Sequence, residues 1–449
     1  MTDALHTTLL QRIDEPAGRY ADLDRYYRGE QPLSFLAPEA RKALGDRFGR
    51  IASNLCRLSV TSIAERLRVT GFTGAEVWAD WIRNDLDQLA PVAHRDSLLL
   101  GSSYVVVWAD QTGRPQVSVE SAHQMSAVCD PGTRQIVAAC KRWTTDTTTE
   151  ATIFEADKIT RLRANNTGAT TAGFSTLEVL DNPLGVVPVV RLANTDRIVD
   201  PRPGVHVGVS EIDDMIPLVD GLNKTLADMM VASEYTARPR RWATGVELVE
   251  EPKLDNDGEP VLDEDGEPVL EEVNPFPEGH RMMIDENDSA KFGQLEASSL
   301  AGYQTAVQVL LEQIMAVSAL PAHYVGITSA NPASADAMRA AEAALTARAE
   351  SKQAMFGRAW EQVARLIVAV RDGGDPHDVE ATVQWADPST RSIAQEADAV
   401  VKLHQAGLLP ADYALKRLGY SEPEIIEIRA ARRIEALDNA GTDLTALVP

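Results

Sequence analysis

The residues that most invite a chemical reading are acidic. Two Asp-Gly dipeptides, Asp257-Gly258 and Asp265-Gly266, lie in a tandem repeat, LDNDGEPV followed directly by LDEDGEPV, over residues 254–269. A twelve-residue calcium loop needs oxygen ligands at its first, third and fifth positions, a glycine at its sixth and a glutamate at its twelfth. With Gly266 as the loop glycine, Asp263, Asp265 and Glu272 fall correctly, but Val261 takes the first ligand position. The frame set by Gly258 begins with Lys253. A charged β-hairpin insert is the alternative, because Asp-Gly favours a tight turn with positive φ. A hairpin without a metal is the expectation.

Other chemistries find less support. The chain has no Gly-Lys pair, so no P-loop can cradle a nucleotide. The stretch from Gly204 to Ser210 is rich in glycine but matches no phosphate fingerprint, and it suits a lead-in to a helix cap. Gly208-Val209-Ser210-Glu211-Ile212 lacks the final glycine of a nucleophile elbow. The eight histidines form no H-E-x-x-H and no i, i+4 pair, which argues against a catalytic zinc. A lone His94 or His404 on a helix fits a solvated or packed side chain. Asp213 and Asp214 are adjacent and would point to different faces of a helix. No catalytic residue, cofactor or metal is expected.

Basic residues gather in two places. Arg41, Lys42, Arg47, Arg50, Arg57, Arg66 and Arg68 decorate the N-terminal helices, and Arg238, Arg240 and Arg241 stand beside Trp242. These groups either complement the negative ends of helices or serve as a positively charged lip or an intersubunit pairing with the acidic insert. Against these stands a net charge of -24. Residues 247–288 alone hold 16 acids against two bases, Lys253 and Arg281. A protein that grips DNA replaces condensed counterions with Lys and Arg, so a sequence-reading DNA binder is disfavoured. A surface past which DNA slides is not. Cys56, Cys129 and Cys140 are an odd set without C-x-x-C spacing, as expected of reduced core thiols in a protein made in a cytosol. The N-terminus lacks the apolar run of a signal peptide, and no window reaches the ~20 apolar residues of a membrane span.

The elements that must position these residues follow from hydrophobic period. Residues 1–99 read as helices: one over Leu5, Leu9, Leu10 and Ile13, one from Asn54 to Leu67, one from Trp78 to Leu89 ended near Pro91, and one across His94 to Leu100. From Ser102 the period becomes two. Strands are expected at Tyr104–Trp108, Gln116–Glu120, Gln135–Trp143, Ala151–Leu162 and Val186–Leu192, with turns at Asp110–Arg114 and Asp130–Thr133. That makes residues 1–200 an α+β unit, a helical layer over a small mixed sheet. A long helix should start at Ser210, tolerate Pro217 and stop before Pro239. A second runs from Ser299 to Ala319, and a third from Ser334 to about Val370, roughly 55 Å long. A strand at Val379–Trp385 and short helices at Ile393–Ala406, Pro410–Leu418 and Glu422–Leu437 complete the chain, with a loose end.

This order of elements resembles the portal (head-to-tail connector) proteins of tailed double-stranded DNA phages, especially the long-tailed type. The resemblance is carried by Tyr26-Tyr27-Arg28-Gly29, by NPLGVVPVVRLAN at 182–194, and by the segment from Gly208 to Gly245. LPAHYVGITSANPASADAMR at 320–339 and Trp385 to Gly407 carry it further. No single motif decides it; their order along nearly the whole chain does. It implies an α+β, predominantly helical subunit. Residues 1–207 with the strand at 379–385 would be a wing, 208–237 and 291–320 two stem helices, and 238–290 an acidic clip. Residues 321–333 would be a tunnel loop, 334–372 a long wing/crown helix, 389–437 a helical crown and 438–449 a flexible tail.

The same resemblance implies a ring, usually of twelve subunits, at one capsid vertex of the virion, assembled in the host cytoplasm without a membrane. Double-stranded DNA would enter and leave through its bore. The expected partners are the terminase large subunit, a head-completion or adaptor protein, and the major capsid and scaffolding proteins. The DNA-facing tunnel loop would comprise His323, Tyr324, Val325, Gly326, Ile327, Thr328, Ser329 and Asn331. Partner docking would fall to Arg238, Arg240, Arg241, Trp242, Asp255, Asp257, Asp263 and Asp265. A bore that conducts a polyanion must bind it weakly everywhere, and an acidic subunit with an uncharged loop tip provides that. Another phage head protein, minor head or adaptor, is the runner-up; a metal-dependent nuclease or hydrolase using the acidic insert is the enzyme alternative.

Overall fold

The computed structural model describes residues 2–33, 52–196, 208–237, 241–244, 249–253, 260–262, 266, 268–273, 291–294, 300–327, 335–389, 393–418, 420 and 422–444. Helices α1 (Thr2–Asp14), α2 (Ala17–Arg28) and α3 (Leu55–Ala64) lead the chain. Gly29 ends α2 in the left-handed conformation, and the Asn54 side chain caps α3 by accepting from the Arg57 amide. Strand β1 (Val69–Thr73) and helices α4 (Trp78–Arg83) and α5 (Leu86–Leu100) follow.

The helix break expected at Pro91 is displaced. It falls at Asn84–Asp85, where Asp85 has φ of 53°, and Pro91 lies inside α5. The cause is Asn84. Its amide donates to the carbonyls of Asp80 (2.8 Å) and Pro115 (3.1 Å) and accepts from the Val117 amide (2.9 Å), tying the chain to a sheet edge. In the second turn of α5, one bond lost to Pro91 matters less than keeping Ala93, His94, Leu98 and Leu100 buried.

Eight strands come next: β2 (Ser102–Ala109), β3 (Pro115–Ser121), β4 (Met125–Cys129), β5 (Ile136–Thr144), β6 (Thr149–Glu155), β7 (Lys158–Ala164), β8 (Phe174–Asp181) and β9 (Val189–Ala193). They form two sheets, β3-β2-β9 and β4-β5-β6-β7-β8, with every pair antiparallel. The single mixed sheet expected from sequence is therefore corrected. Most of the connections are too short for a parallel crossover. The expected strand Ala151–Leu162 is a hairpin, β6 and β7. Strand β8 escaped notice because it is exposed nearly end to end, with no apolar alternation, and is held by its ladder to β7.

Helix α6 (Ile216–Ala237) starts later than Ser210. The Ser210 hydroxyl accepts from the Ile212 amide and the Glu211 amide donates to the Leu98 carbonyl, so Glu211–Met215 form turns. Strands β10 (Arg241–Thr244), β11 (Val249–Pro252), β12 (Leu270–Val273) and β13 (Lys291–Gln294) lie between α6 and α7 (Ala301–Ser318). The 38-residue α8 (Ala335–Asp372), strand β14 (Thr382–Trp385) and helices α9 (Ile393–Gln405), α10 (Ala411–Arg417) and α11 (Glu422–Leu444) complete the chain. Strand β14 pairs with β1, and α11, with Pro423 in its first turn, continues to Leu444, seven residues beyond the Leu437 expected as its end.

The main core joins α3, α5, the three-stranded sheet and the middle of α8, whose Leu345, Ala349, Phe356, Trp360, Val363 and Ile367 are wholly buried. A smaller core holds α1 on the five-stranded sheet through Leu9, Leu10, Ile13, Cys140 and Ile153. The apolar stripe read on α1 is thus a sheet-packing face.

Candidate functional site

Helices α6 and α7 pack against one another through Val219, Leu222 and Ile314, with Leu310 and Leu311 half-buried beside them. Gly221 of α6 faces Leu310 of α7, and a Cβ there would meet that side chain at an ordinary contact distance of 3.6 Å. Helix α7 carries a single charged residue, Glu312, and its outward side presents Thr305, Gln308, Val309, Glu312 and Gln313 to solvent.

Several polar contacts fix this hairpin to the N-terminal helices. The Tyr26 hydroxyl donates to Asp220 at 2.9 Å, and burial, then the Asp220 carboxylate, push its pKa up to about 12. Arg19 pairs with Asp213 at 2.7 Å, and the Ser53 amide donates to Asn223 at 2.8 Å. Asp213 is therefore part of an intrachain ion pair, while Asp214 is exposed.

Where α6 begins, two segments quoted above for the resemblance meet. Asn194 donates to the Val209 carbonyl and to Glu211, its amide donates to the Gly101 carbonyl, and Lys352 of α8 reaches both Asn194 and Glu211. Arg348 lies 3.6 Å from Glu211 and donates to the Val317 carbonyl at the end of α7. A Cβ on Gly208 would stand 1.9 Å from the Gly101 carbonyl oxygen, so only glycine permits this backbone crossing.

After α7 the chain turns through Ala319, which has φ of 58°, and Pro321 into a 3-10 turn at Ala322–Val325, closed by Gly326 with φ of 79°. His323 and Tyr324, two of the expected tunnel-loop residues, pack inward here. His323 Nε2 lies 3.2 Å from Glu342 of α8, and the Tyr324 hydroxyl accepts from Arg66 at 3.3 Å. Arg66 also pairs with Glu342 at 2.9 Å. Val325 and Ile327 are half-buried and Gly326 is exposed. Thr328, Ser329 and Asn331 lie outside the described residues.

The acidic insert is built on two ladders. Strands β10 and β13 pair Arg241 with Gln294 and Trp242 with Gly293, and β11 pairs with β12 from Val249–Val273 to Pro252–Leu270. At the end of the second ladder, three residues spaced by eight close a ring of backbone hydrogen bonds. Lys253 donates to Val269, Val269 to Val261, and Val261 to Lys253, each at 2.8 Å. Each eight-residue repeat thus leaves and re-enters at one three-way junction, and Leu262 bridges Pro268 within the second. Arg238, Arg240, Asp255, Asp257, Asp263 and Asp265 lie outside the described residues. Among the described residues no group of three His, Cys, Asp or Glu could hold a metal ion, and no helix is long and apolar enough to cross a membrane.

Arg66, Glu342, Glu211 and Lys352 were not singled out as partners by sequence. Arg66 was grouped with surface bases, and its partner lies in a helix far along the chain. Only the buried position of Glu342 within an apolar helical stripe could have hinted at the pair.

Comparison with known proteins covers almost the whole length. The chain is 32% identical over 410 residues to the portal protein of Mycobacterium phage D29, covering 86% of this chain and 79% of the relative. It is 30% identical over 411 residues to the portal protein of Mycobacterium phage L5, with the same coverage. Among solved structures, a chain in the neck of a native gene transfer agent particle, computed with C12 symmetry, is similar at 16% identity. Its TM-score is 0.46, covering 87% of this chain and 96% of that one. A chain of the native gene transfer agent virion gives 14% identity and a TM-score of 0.44, over 90% of this chain and 93% of that one. The family described as phage portal protein, SPP1 Gp6-like, matches residues 7–436, and this chain belongs to it.

Proposed function

We propose that this portal protein is one subunit of a ring, of twelve copies as in the general plan of such proteins, set at one capsid vertex. Double-stranded DNA is packaged and later ejected through its bore. The α6/α7 hairpin lines that bore as a stem, and residues 321–333 form its narrowest part. The acidic insert, with Arg238, Arg240, Arg241 and Trp242 at its root, docks the terminase motor and then the head-completion protein. The major capsid and scaffolding proteins surround the wing. ATP hydrolysis belongs to the motor.

The observation that carries this reading is the outward side of α7, which is long, solvent-exposed in the single chain and charged only at Glu312. DNA bears one negative charge per roughly 1.7 Å of axis, so a basic wall would hold it by counterion release. A wall of Thr, Gln and Val in a subunit of net charge -24 gives a translocating polyanion no such hold. Electron microscopy of the purified full chain tests the assembly. Rings with an axial opening are expected; a preparation that stays monomeric at high concentration would refute it.

A further inference from the structure

Helices α9, α10 and α11, from Ile393 to Leu444, form a unit with very little interior of its own. Among their described residues the buried apolar side chains are Val400, Ala414 and Ile425, and these belong to neither hydrophobic core. The larger apolar side chains lie outside. Val401, Leu408, Tyr413, Tyr420, Ile426 and Ile434 are all exposed, the two isoleucines at 61% each. Below about 70 residues one core rarely stabilises a fold unaided, and this interior is smaller than most. Such a unit needs a surface to lean on, and its leftover apolar side chains mark where. On α11 the sides are distinguishable. Ile425 and Arg429, one turn apart, face α10: the first is buried and the second pairs with Asp412. Ile426, Ala430 and Ile434 follow one another at i, i+4 and i+8 on a different side, all exposed. Arg433 runs along one edge of this stripe and Glu427 along the other. Both are exposed, and neither has an ion-pair partner among the described residues.

We propose that the Ile426, Ala430 and Ile434 face of α11 packs against α11 of a second copy of the chain, and that this contact stabilises α9–α11. The inference rests on the ring reading above. In a closed ring each copy shows one surface to the neighbour before it and a complementary one to the neighbour after it. An apolar stripe with a base on one flank and an acid on the other satisfies that rule, with Arg433 of one copy set against Glu427 of the next. The same mixture of signs disfavours DNA as the occupant, because a polyanion is held by unopposed bases. The contact is heterologous, so it repeats around the ring until closure leaves no stripe uncovered.

The test uses the full chain as wild type, I426S/I434S, E427R, R433E and E427R/R433E. Mass photometry gives the concentration at which half of each is in rings. I426S/I434S should raise that concentration about tenfold or more, and its α11 amides should exchange faster in the rings that do form. The thermal midpoint of its single chain should match wild type, because both side chains are exposed there. Each single charge reversal should also raise the half-assembly concentration, since like charges then meet. E427R/R433E should return toward wild type, because the exchanged flanks pair again. An unchanged value for I426S/I434S overturns the proposal. So does a double reversal no better than the single ones, the result expected if this face meets a different protein. A midpoint lowered by several degrees in the single chain of I426S/I434S overturns it too, since the isoleucines would then be held within one copy. Wild-type chain that never forms rings removes the ring reading itself, and that outcome needs no variant.

Discussion

His94 shows how one side chain can tie fold stability to pH. It is wholly buried, stacks on Phe356 with ring centroids 5.4 Å apart, and accepts a hydrogen bond from the Trp360 indole at 2.8 Å. Burial lowers its pKa to about 3 from the ordinary 6.5. The folded state therefore holds the neutral ring, and the unfolded state takes up the proton first. Stability from this site is complete above pH 6.5 and drains as pH falls from there toward 3. The expected outcome is that His94→Gln, which keeps an acceptor for Trp360, starts with a lower thermal midpoint at pH 7.5. It should then lose less than wild type on acidification to pH 5, as read by calorimetry; parallel losses would remove His94 as the cause. The sequence could tell that His94 was a packed or solvated histidine, but not which. Its neighbours Trp360 and Trp385 come from elements far along the chain, and such convergence leaves no local trace. Arg66 is the same case with a charge: its spacing marks it as basic, and only the fold reveals that it faces Glu342.

At the scale of elements, period and punctuation carried most of the way. The long α8 was found within two residues at each end, because Pro332 precedes it, no proline falls within it and Gly373-Gly374 follow it. Helix α5 and strand β8 were misread for opposite reasons. In the first a tertiary bond at Asn84 overrode the proline signal, and in the second no buried face existed to set a period. The hairpin reading of the acidic insert meets the β11–β12 ladder at its base and the Leu262–Pro268 bridge, but it missed the three-way junction, which depends on residues eight apart meeting in space. The described residues of the repeat lie outside both hydrophobic cores. Deleting residues 262–269 should let Val261 take the place of Val269 beside Lys253, and the thermal midpoint should move by less than about 2 °C. A drop several times larger would show that the second repeat supports the ladder beneath it.

For the whole molecule the governing quantity is charge. The chain carries 67 acids against 43 bases, and Gln308 and Glu312, hydrogen-bonded at 2.9 Å, sit on the outward side of α7. Converting both to lysine should turn a weakly interacting wall into an adhesive one. Rings of the Q308K/E312K variant are expected to retain duplex DNA in filter binding at 50 mM salt and to release it toward 200 mM. The logarithmic slope should steepen by about 0.9 per phosphate neutralised. Equal retention by wild-type and variant rings would mean that this side of α7 does not face the bore. The three-way junction in the acidic insert has a consequence for how such a chain can lengthen over generations. Each eight-residue unit begins and ends at the same point in space, so a replication slip that copies or drops one whole unit leaves its flanks where they were. The insert is a place where the gene can grow without the rest of the subunit having to accommodate it.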